Sequence, residues 1–448
     1  MKKTISVIGL GKLGAPLAAC FAARGFRVIG VDTDPRKLDA VRRGEAPVFE
    51  PGLAQLLHKS EGRLTVTSDI EEAVAGSDIT FIVVLTPSEP GGGFSLRYVL
   101  PACEAIGRAL AAKKDFHLVG LTSTVMPGST GGPVLSLLEK ESGKRCGKDF
   151  GLCYSPEFIA LGSVIHDFLN PDFVLIGESD PRSGDILESL YQQVCENSPS
   201  AARMNFVNAE IAKLAVNTYV TTKISFANML ARICEKLPDA NVDAVTSALG
   251  LDTRIGRKYL KGAISYGGPC FPRDNLALTA LAQQLGAAAD VAQATDRFNR
   301  SQIVWLADLV EQHLSKGRAA GILGLTYKPN TDVMEEAAGA LLAQELVQRG
   351  VPVIAYDPTA NKDSARALAE KVVFASGPQE CIEQADVVVV ATPWQEFTEI
   401  PARQWARHSS LRTVVDCWRA LKHLDGAEGV RYLSLGTGNA ATVASVAV

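Results

Sequence analysis

The chain has 448 residues, room for two or three domains at about 150 residues each, which excludes a small scaffold held by disulfides. Its composition, 47% hydrophobic and 21% charged, is that of an ordinary globular protein and excludes long disorder. With 45 basic against 49 acidic side chains the formal charge is −4, so no general basic field exists to hold nucleic acid or an anionic membrane.

Lys2 and Lys3 precede the apolar run ISVIGL, which Gly11 and Lys12 interrupt short of the ~7–15 residues of a signal core, so 5–8 is expected to be a buried strand. Short apolar runs then alternate with helical patterns, predicting further strands at 27–31, 79–85, 118–121 and 174–176 of a parallel sheet wound by helices. Strand signals vanish across 206–315, where long helical patterns take over. A second strand set follows at 320–323, 353–356, 387–391 and 413–415. It echoes the first: GFRVIGVDTDP (25–35) resembles GVPVIAYDP (350–358), and SDITFIVVLTP (77–87) resembles ADVVVVATP (385–393). The expected parts are therefore α/β units at 1–205 and 316–448, joined by a helical region at 206–315. That region should pack on both units and on a second copy of the chain. No apolar run reaches the ~20 residues that span a bilayer, so a soluble protein with no membrane partner is expected.

GLGKLG, with Gly9, Gly11, Lys12, Leu13 and Gly14, follows the first strand and opens a helical run, and Asp32 ends the next strand. This is the context of a dinucleotide turn: glycines let the backbone approach a pyrophosphate at the helix N-terminus, and the carboxylate takes ribose hydroxyls. Asp32, backed by Asp34, would repel a 2′-phosphate, which favours NAD over NADP. A tight turn without ligand is the alternative. GILGLTYKPN, at the matching place in the second unit, lacks the glycine triplet and predicts a different nucleotide or none.

The nine cysteines are scattered and contain no C-x-x-C pair, which argues against a disulfide framework and a zinc site and fits a reduced cytoplasmic setting. Cys270 stands apart in YGGPCFPRDN, where Gly267, Gly268, Pro269 and Pro272 force an irregular loop beside Arg273 and Asp274. A thiol there can meet a substrate and act as nucleophile, or be incidental. Glu210, Lys213, Asn217 and Thr221 are spaced three, four and four apart, one polar stripe on an otherwise apolar helix. Buried, Lys213 and Asn217 could donate to a developing oxyanion; a solvated face is the plainer alternative. Glu157, in YSPEF, is equally compatible with a surface or capping carboxylate.

GLGKLG with Asp32, TSTVMPGST, YSPEFIALGSVIHDFLNPDFVLIG, AEIAKLAVNTY, the RIG of Arg254, GGPCFPRD and GLTYKPNTD occur in this order. Together they resemble the UDP-glucose/GDP-mannose dehydrogenase family over nearly the whole chain. The resemblance implies two Rossmann-like doubly wound parallel-sheet domains joined by a central helical dimerisation region, with NAD in the first and a UDP-sugar held between the domains. It implies a homodimer or larger homo-oligomer, and a four-electron oxidation of the sugar C6 hydroxyl to a carboxylate with two NAD in succession.

Carried onto this sequence, Cys270 would trap the C6 aldehyde as a thiohemiacetal that becomes a thioester. Lys213 and Asn217 would stabilise oxyanions, Asp274 would assist proton transfer, and Glu157 would activate the hydrolytic water. Thr124 would lie near the nicotinamide and the water, with Thr86 also on the cofactor side. Phe158, Ile159, Ala160, Leu161, Tyr259, Lys261, Gly267, Lys328 and Arg419 would contact the nucleotide sugar, and Arg254 would reach across the dimer. Three positions depart from the family pattern: Leu161 replaces a frequent carboxylate, Glu335 stands where many members have arginine, and DCWR replaces D-G-R, leaving Arg419 as its arginine. The Phe271 of CFPRD favours UDP-glucose over GDP-mannose or a UDP-N-acetylhexosamine. A two-electron hydroxyacid dehydrogenase would need neither Cys270 nor the second α/β unit, and a non-catalytic nucleotide-sugar-binding protein would need no thiol.

Overall fold

The computed structural model describes residues 2–60, 62–360, 365, 368, 371–407 and 411–438. They form two compact units, Met1–Ala215 and Val216–Val448.

The first unit carries strands β1 (Thr4–Ile8), β2 (Arg27–Val31), β3 (Leu64–Thr67), β4 (Ile79–Ile82), β5 (His117–Leu121), β6 (Phe150–Tyr154), β7 (Val174–Glu178) and β8 (Ala201–Met204). Their spatial order is β3-β2-β1-β4-β5-β6-β7-β8. Every position of β1, β4, β5 and β6 is buried, as expected of strands covered on both faces. One core layer gathers Phe21, Phe81 and Phe168, and the other gathers Ile106, Leu138 and Phe150. The parallel sheet predicted from the alternation holds across the first six strands, but β7 runs antiparallel to β6 and parallel to β8. A parallel crossover needs a helix riding over the sheet. Between β6 and β7 there is only the short helix Val164–Leu169, which packs on the helix Gly14–Ala23 instead.

Inside this sheet a ring of polar groups closes on itself. Ser77 Oγ donates to Ser6 Oγ (3.0 Å), Ser6 Oγ meets Thr80 Oγ1 (2.7 Å), and Thr80 Oγ1 meets His117 Nε2 (2.8 Å). His117 Nδ1 faces the Ser77 carbonyl at 3.2 Å. Burial, with Lys113 adding repulsion, pushes the imidazole down to about 3, so the ring is neutral in the fold. Unfolded, the same imidazole gains a proton below about 6.5, so its contribution to stability is complete above that pH and drains away as pH falls toward 3. Urea unfolding should therefore lose about 2–3 kcal/mol through this residue between pH 7.5 and pH 4.5. The His117→Gln variant should show a correspondingly shallower pH dependence, and equal slopes would contradict the account.

In the second unit, helices Val242–Leu249, Phe271–Gln284 and Asp290–His313 join the last part of the long helix Phe206–Cys234. Six strands follow: β9 (Ala319–Leu323), β10 (Val353–Tyr356), β11 (Val372–Phe374), β12 (Ala385–Val390), β13 (Arg412–Asp416) and β14 (Val430–Ser434). All pair in parallel, in the order β11-β10-β9-β12-β13-β14. Both sheets thus reverse their winding beside the first strand of the set, β1 in one and β9 in the other. In such sheets, ligands bind outside the carboxyl ends of the strands at this switch point.

The echo between the units extends to the strand-to-helix turn. Gly9 takes φ +100°, and a Cβ on Gly14 would fall 1.8 Å from the Gly9 carbonyl oxygen; Gly324 takes φ +98°, and a Cβ on Gly339 would fall 1.9 Å from the Gly324 oxygen. The same tight packing of helix on strand is kept with fourteen intervening residues (325–338) in place of four (10–13). Among the described residues, no helix is long and apolar enough to cross a membrane.

Candidate active site

At the end of β1 the chain turns through Gly9, Leu10, Gly11, Lys12 and Leu13 into the helix Gly14–Ala23. A Cβ on Gly11 would meet nothing within 4 Å, so this stretch of backbone faces open space above the helix N-terminus, as a cradle for a pyrophosphate requires. Asp32, one residue past β2, accepts from the Leu10 amide (2.8 Å) and the Asp34 amide (2.9 Å), which fixes its carboxylate at the rim of the turn. Lys37 Nζ sits 2.9 Å from Asp32 Oδ2, a counter-charge the sequence did not single out. Asp34 caps the helix Pro35–Arg42, and the Arg36 guanidinium holds its carboxyl below the usual range. Thr86 and Thr124, on the segments after β4 and β5, are tied together by a 2.7 Å bond from Thr86 Oγ1 to the Thr124 carbonyl. The cofactor-side residues named from sequence therefore line the switch-point end of one sheet, and their geometry fits a dinucleotide.

The polar stripe of the long helix is not solvated. Glu210, Lys213, Asn217 and Thr221 are exposed by 0%, 7%, 8% and 0%, so the plainer alternative fails. Each makes its own contacts. Glu210 accepts from the amides of Gly128 (2.6 Å) and Thr130 (2.7 Å), anchoring the loop that follows Thr124. Lys213 donates to the Glu157 carbonyl (2.6 Å) and lies 4.5 Å from the centre of the Phe158 ring. Asn217 Nδ2 donates to Asp274 Oδ2 (2.6 Å), and Thr221 Oγ1 accepts from Asn275 (2.8 Å).

Glu157 is not a surface or capping carboxylate. Tyr191 Oη donates to its Oε1 at 2.9 Å, and burial pushes its carboxyl up to about 7, with the Tyr191 bond and the charge of Lys213 pulling the other way. The following residues split between two cores: the Phe158 ring lies 4.9 Å from that of Phe173, tilted by 34°, while Ile159 and Leu161 pack against the cluster that contains Phe21. The Ala160 amide donates to Asp167 (3.1 Å), and Glu50 accepts from the amides of Gly162 and Val164 (2.8 Å each). Glu50 carries no sequence signal beyond its place before Pro51 and Gly52; only the fold brings it to this loop.

Cys270 occupies the N-cap of the helix Phe271–Gln284, and the residue is exposed. The N-terminus of a helix favours an anion. Burial pushes each of the other eight thiols up, Cys20, Cys103, Cys195 and Cys381 to about 12. One helical turn on, the Asp274 amide donates to the Cys270 carbonyl (2.9 Å) and its carboxylate holds the Asn217 amide. The Tyr259 ring lies 6.2 Å from that of Phe271.

The remaining residues expected at the sugar each have their own neighbours. A Cβ on Gly267 would meet the Glu336 carbonyl at 2.1 Å, and the Gly268 amide donates to the Glu335 carbonyl, so the loop before Cys270 lies tight against residues 335–337. Lys328 lies 5.9 Å from the Tyr327 ring, and Lys261 6.0 Å from that of Trp418. Arg254 projects outward with its guanidinium on Asp252. Arg419 is buried and bidentate on Asp243 (2.7 and 2.8 Å), and it also donates to the Leu435 and Gly262 carbonyls. That web ties β13's outgoing loop to the helix Val242–Leu249.

Comparison with known proteins identifies the family over most of the chain. Residues 3–195 match the NAD binding domain of the UDP-glucose/GDP-mannose dehydrogenase family, residues 207–301 its central domain and residues 321–423 its UDP binding domain. The UDP-glucose 6-dehydrogenase of Haloferax volcanii is 34% identical over 95% of this chain and 98% of its own length. That of Bacillus subtilis is 37% identical over 89% of this chain and 85% of its own. A UDP-glucose dehydrogenase structure from Pyrobaculum islandicum superposes with a TM-score of 0.88 at 35% identity, covering 98% of each chain. The chain belongs to the UDP-glucose/GDP-mannose dehydrogenase family and is an NAD-dependent nucleotide-sugar 6-dehydrogenase.

Proposed function

We propose that the enzyme oxidises the C6 hydroxyl of UDP-glucose to the carboxylate of UDP-glucuronate through a thiohemiacetal and a thioester on Cys270. The observation that carries this reading is the contrast among thiols: Cys270 is exposed at a helix N-terminus, and the other eight are pushed up by burial. An aldehyde cannot be oxidised again until a nucleophile makes it tetrahedral, which is what such a thiol supplies. Support for UDP-glucose comes from the two relatives and the Pyrobaculum islandicum structure that bear that substrate in their names.

The three working parts are the NAD-binding portion 1–205, the helical portion 206–315 and the UDP-sugar portion 316–448. NAD, when bound, supplies the two-electron acceptor for each of the two oxidations. Lys213 and Asn217, four residues apart on one helix, donate to the oxygen that becomes anionic when the Cys270 thiolate adds to the aldehyde. Asp274, held by the Asn217 amide, carries the sugar hydroxyl proton away by way of water. Glu157 takes the proton of the water that hydrolyses the thioester. Thr124 and Thr86 order the segments beside the cofactor. Tyr259, Lys261, Gly267 and Lys328 bind the nucleotide sugar, while Arg254, directed outward, serves a second subunit. Arg419 acts on the sugar site through the loop it braces. The long helix exposes Ile211, Tyr219, Phe226 and Ile233 at spacings of eight, seven and seven, an apolar stripe that a second copy of the chain would cover in a homodimer.

The test is stoichiometric. UDP-glucose should yield two NADH per sugar consumed, where a hydroxyacid dehydrogenase would give one per substrate and a non-catalytic binding protein none. In a panel with UDP-N-acetylglucosamine, UDP-galactose and GDP-mannose, UDP-glucose should have the highest kcat/KM. Because Leu161 is partly buried against the core, Leu161→Ala should lower stability by about 1–2 kcal/mol before it changes the order of sugars. A changed order in a variant of unaltered stability would instead place Leu161 at the sugar.

A further inference from the structure

Tyr191 lies on the helix Pro181–Val194, outside every sequence motif, and its ring is buried against Phe168 in the core of the first unit. Yet its hydroxyl is not spent on packing. It donates to Glu157 Oε1 at 2.9 Å and meets Ser155 Oγ at 3.0 Å, and Ser155 itself is buried. Since a phenol has one proton, donation to Glu157 requires that Ser155 donate to the Tyr191 oxygen, so the hydrogen-bond chain has one direction.

We propose that Tyr191 is a positioning residue for Glu157, holding its carboxylate in place and favouring its ionised form through a buried chain from Ser155 to Tyr191 to Glu157. This rests on the reading of Glu157 as the base of thioester hydrolysis. A base must be ionised to accept a proton, and burial works against that by pushing the Glu157 carboxyl up to about 7. A neutral donor fixed at 2.9 Å is one of two groups that oppose burial. The other is Lys213, from the long helix.

Two buried thiols are the next ionisable neighbours, and neither titrates in the same range. Cys20 on the helix Gly14–Ala23 and Cys195 at the end of the Tyr191 helix both feel the charge of Glu157, and burial holds both thiols at about 12. Arg24 and Glu196, further out, act on those thiols with opposite sign. Within this group the carboxyl is poised to change charge near neutrality, and Tyr191 biases it toward the competent state.

The experiment follows the Cys270 acyl-enzyme by rapid quench and intact-protein mass across pH 6 to 9, during turnover of UDP-glucose and NAD, together with the pH profile of kcat. In Tyr191→Phe the ring and its packing stay, so the acidic limb of hydrolysis should move up by about one pH unit. Acyl-enzyme should accumulate at pH 7 and disappear again toward pH 9. A merely structural residue would lower the rate at every pH and leave the limb in place, which overturns the proposal. Glu157→Gln separates the two ideas: it should abolish the limb, and a limb that persists there overturns the reading of Glu157 and the role of Tyr191 with it. If Tyr191→Phe does not fold, Ser155→Ala keeps the tyrosine and should move the limb in the same direction by a smaller amount; an unmoved limb in that variant overturns the proposal equally.

Discussion

Glu157→Gln enzyme, given UDP-glucose and NAD, should stall with the uronyl group attached to Cys270. The variant keeps the thiol and both oxidations and removes only the group that deprotonates water, typically a loss of ~10²–10⁴-fold in that step. The stalled species should show as an intact-protein mass increase equal to the sugar-nucleotide acyl group, and peptide mapping should place it on the Cys270 segment. Cys270→Ala should fail in a different way, with no adduct and a collapse of uronate formation, because no covalent acceptor remains for the aldehyde. Normal turnover by Glu157→Gln, or an adduct on another cysteine, would remove these two residues from the assigned roles. The second outcome is disfavoured by the structure, since every other thiol is buried enough to be pushed up.

The second large effect concerns the cofactor. Asp32→Ala should raise KM for NAD by about 10–100-fold, because a carboxylate bond to a ribose hydroxyl is worth about 1.5–3 kcal/mol. In the wild type, NAD should exceed NADP in kcat/KM, since a 2′-phosphate at the rim of the turn would sit beside the Asp32 carboxylate. Lys37 tempers this preference: its Nζ is 2.9 Å from Asp32 and would meet the phosphate too. Lys37→Ala should therefore widen the gap between the cofactors and Asp32→Ala should close it, both measured as ratios of kcat/KM. Equal efficiency with the two cofactors in the wild type would refute the assignment of Asp32.

Much of the fold was legible in the sequence. The continuous apolar runs of β1, β2, β5, β9 and β10 mark strands buried on both faces, and their alternation with helical patterns gives parallel sheets. The strands that escaped notice carry weaker signals. LTVT and AARM, at the two edges of the first sheet, are half-buried and mixed in polarity, VVF has only three residues, and VRYLS at the edge of the second sheet is likewise half-buried and mixed. FGLCY is central and wholly buried, but glycine and cysteine dilute its pattern.

Candidate site residues were legible from motifs in the same way. A glycine turn followed by an acidic residue after the next strand, and one cysteine in a loop of glycine and proline, are local features, so the sequence alone pointed to the cofactor cradle and to Cys270. What it left open was environment. Only the tertiary structure showed that the stripe from Glu210 to Thr221 is buried, that Asn217 holds Asp274 57 residues away, and that Tyr191 reaches Glu157 across 34. The bond of Arg419 to Asp243, 176 residues distant, is likewise invisible in the chain. The reason is physical: a residue's type and spacing are fixed by the chain, but its charge state and available hydrogen bonds depend on which distant groups displace water around it.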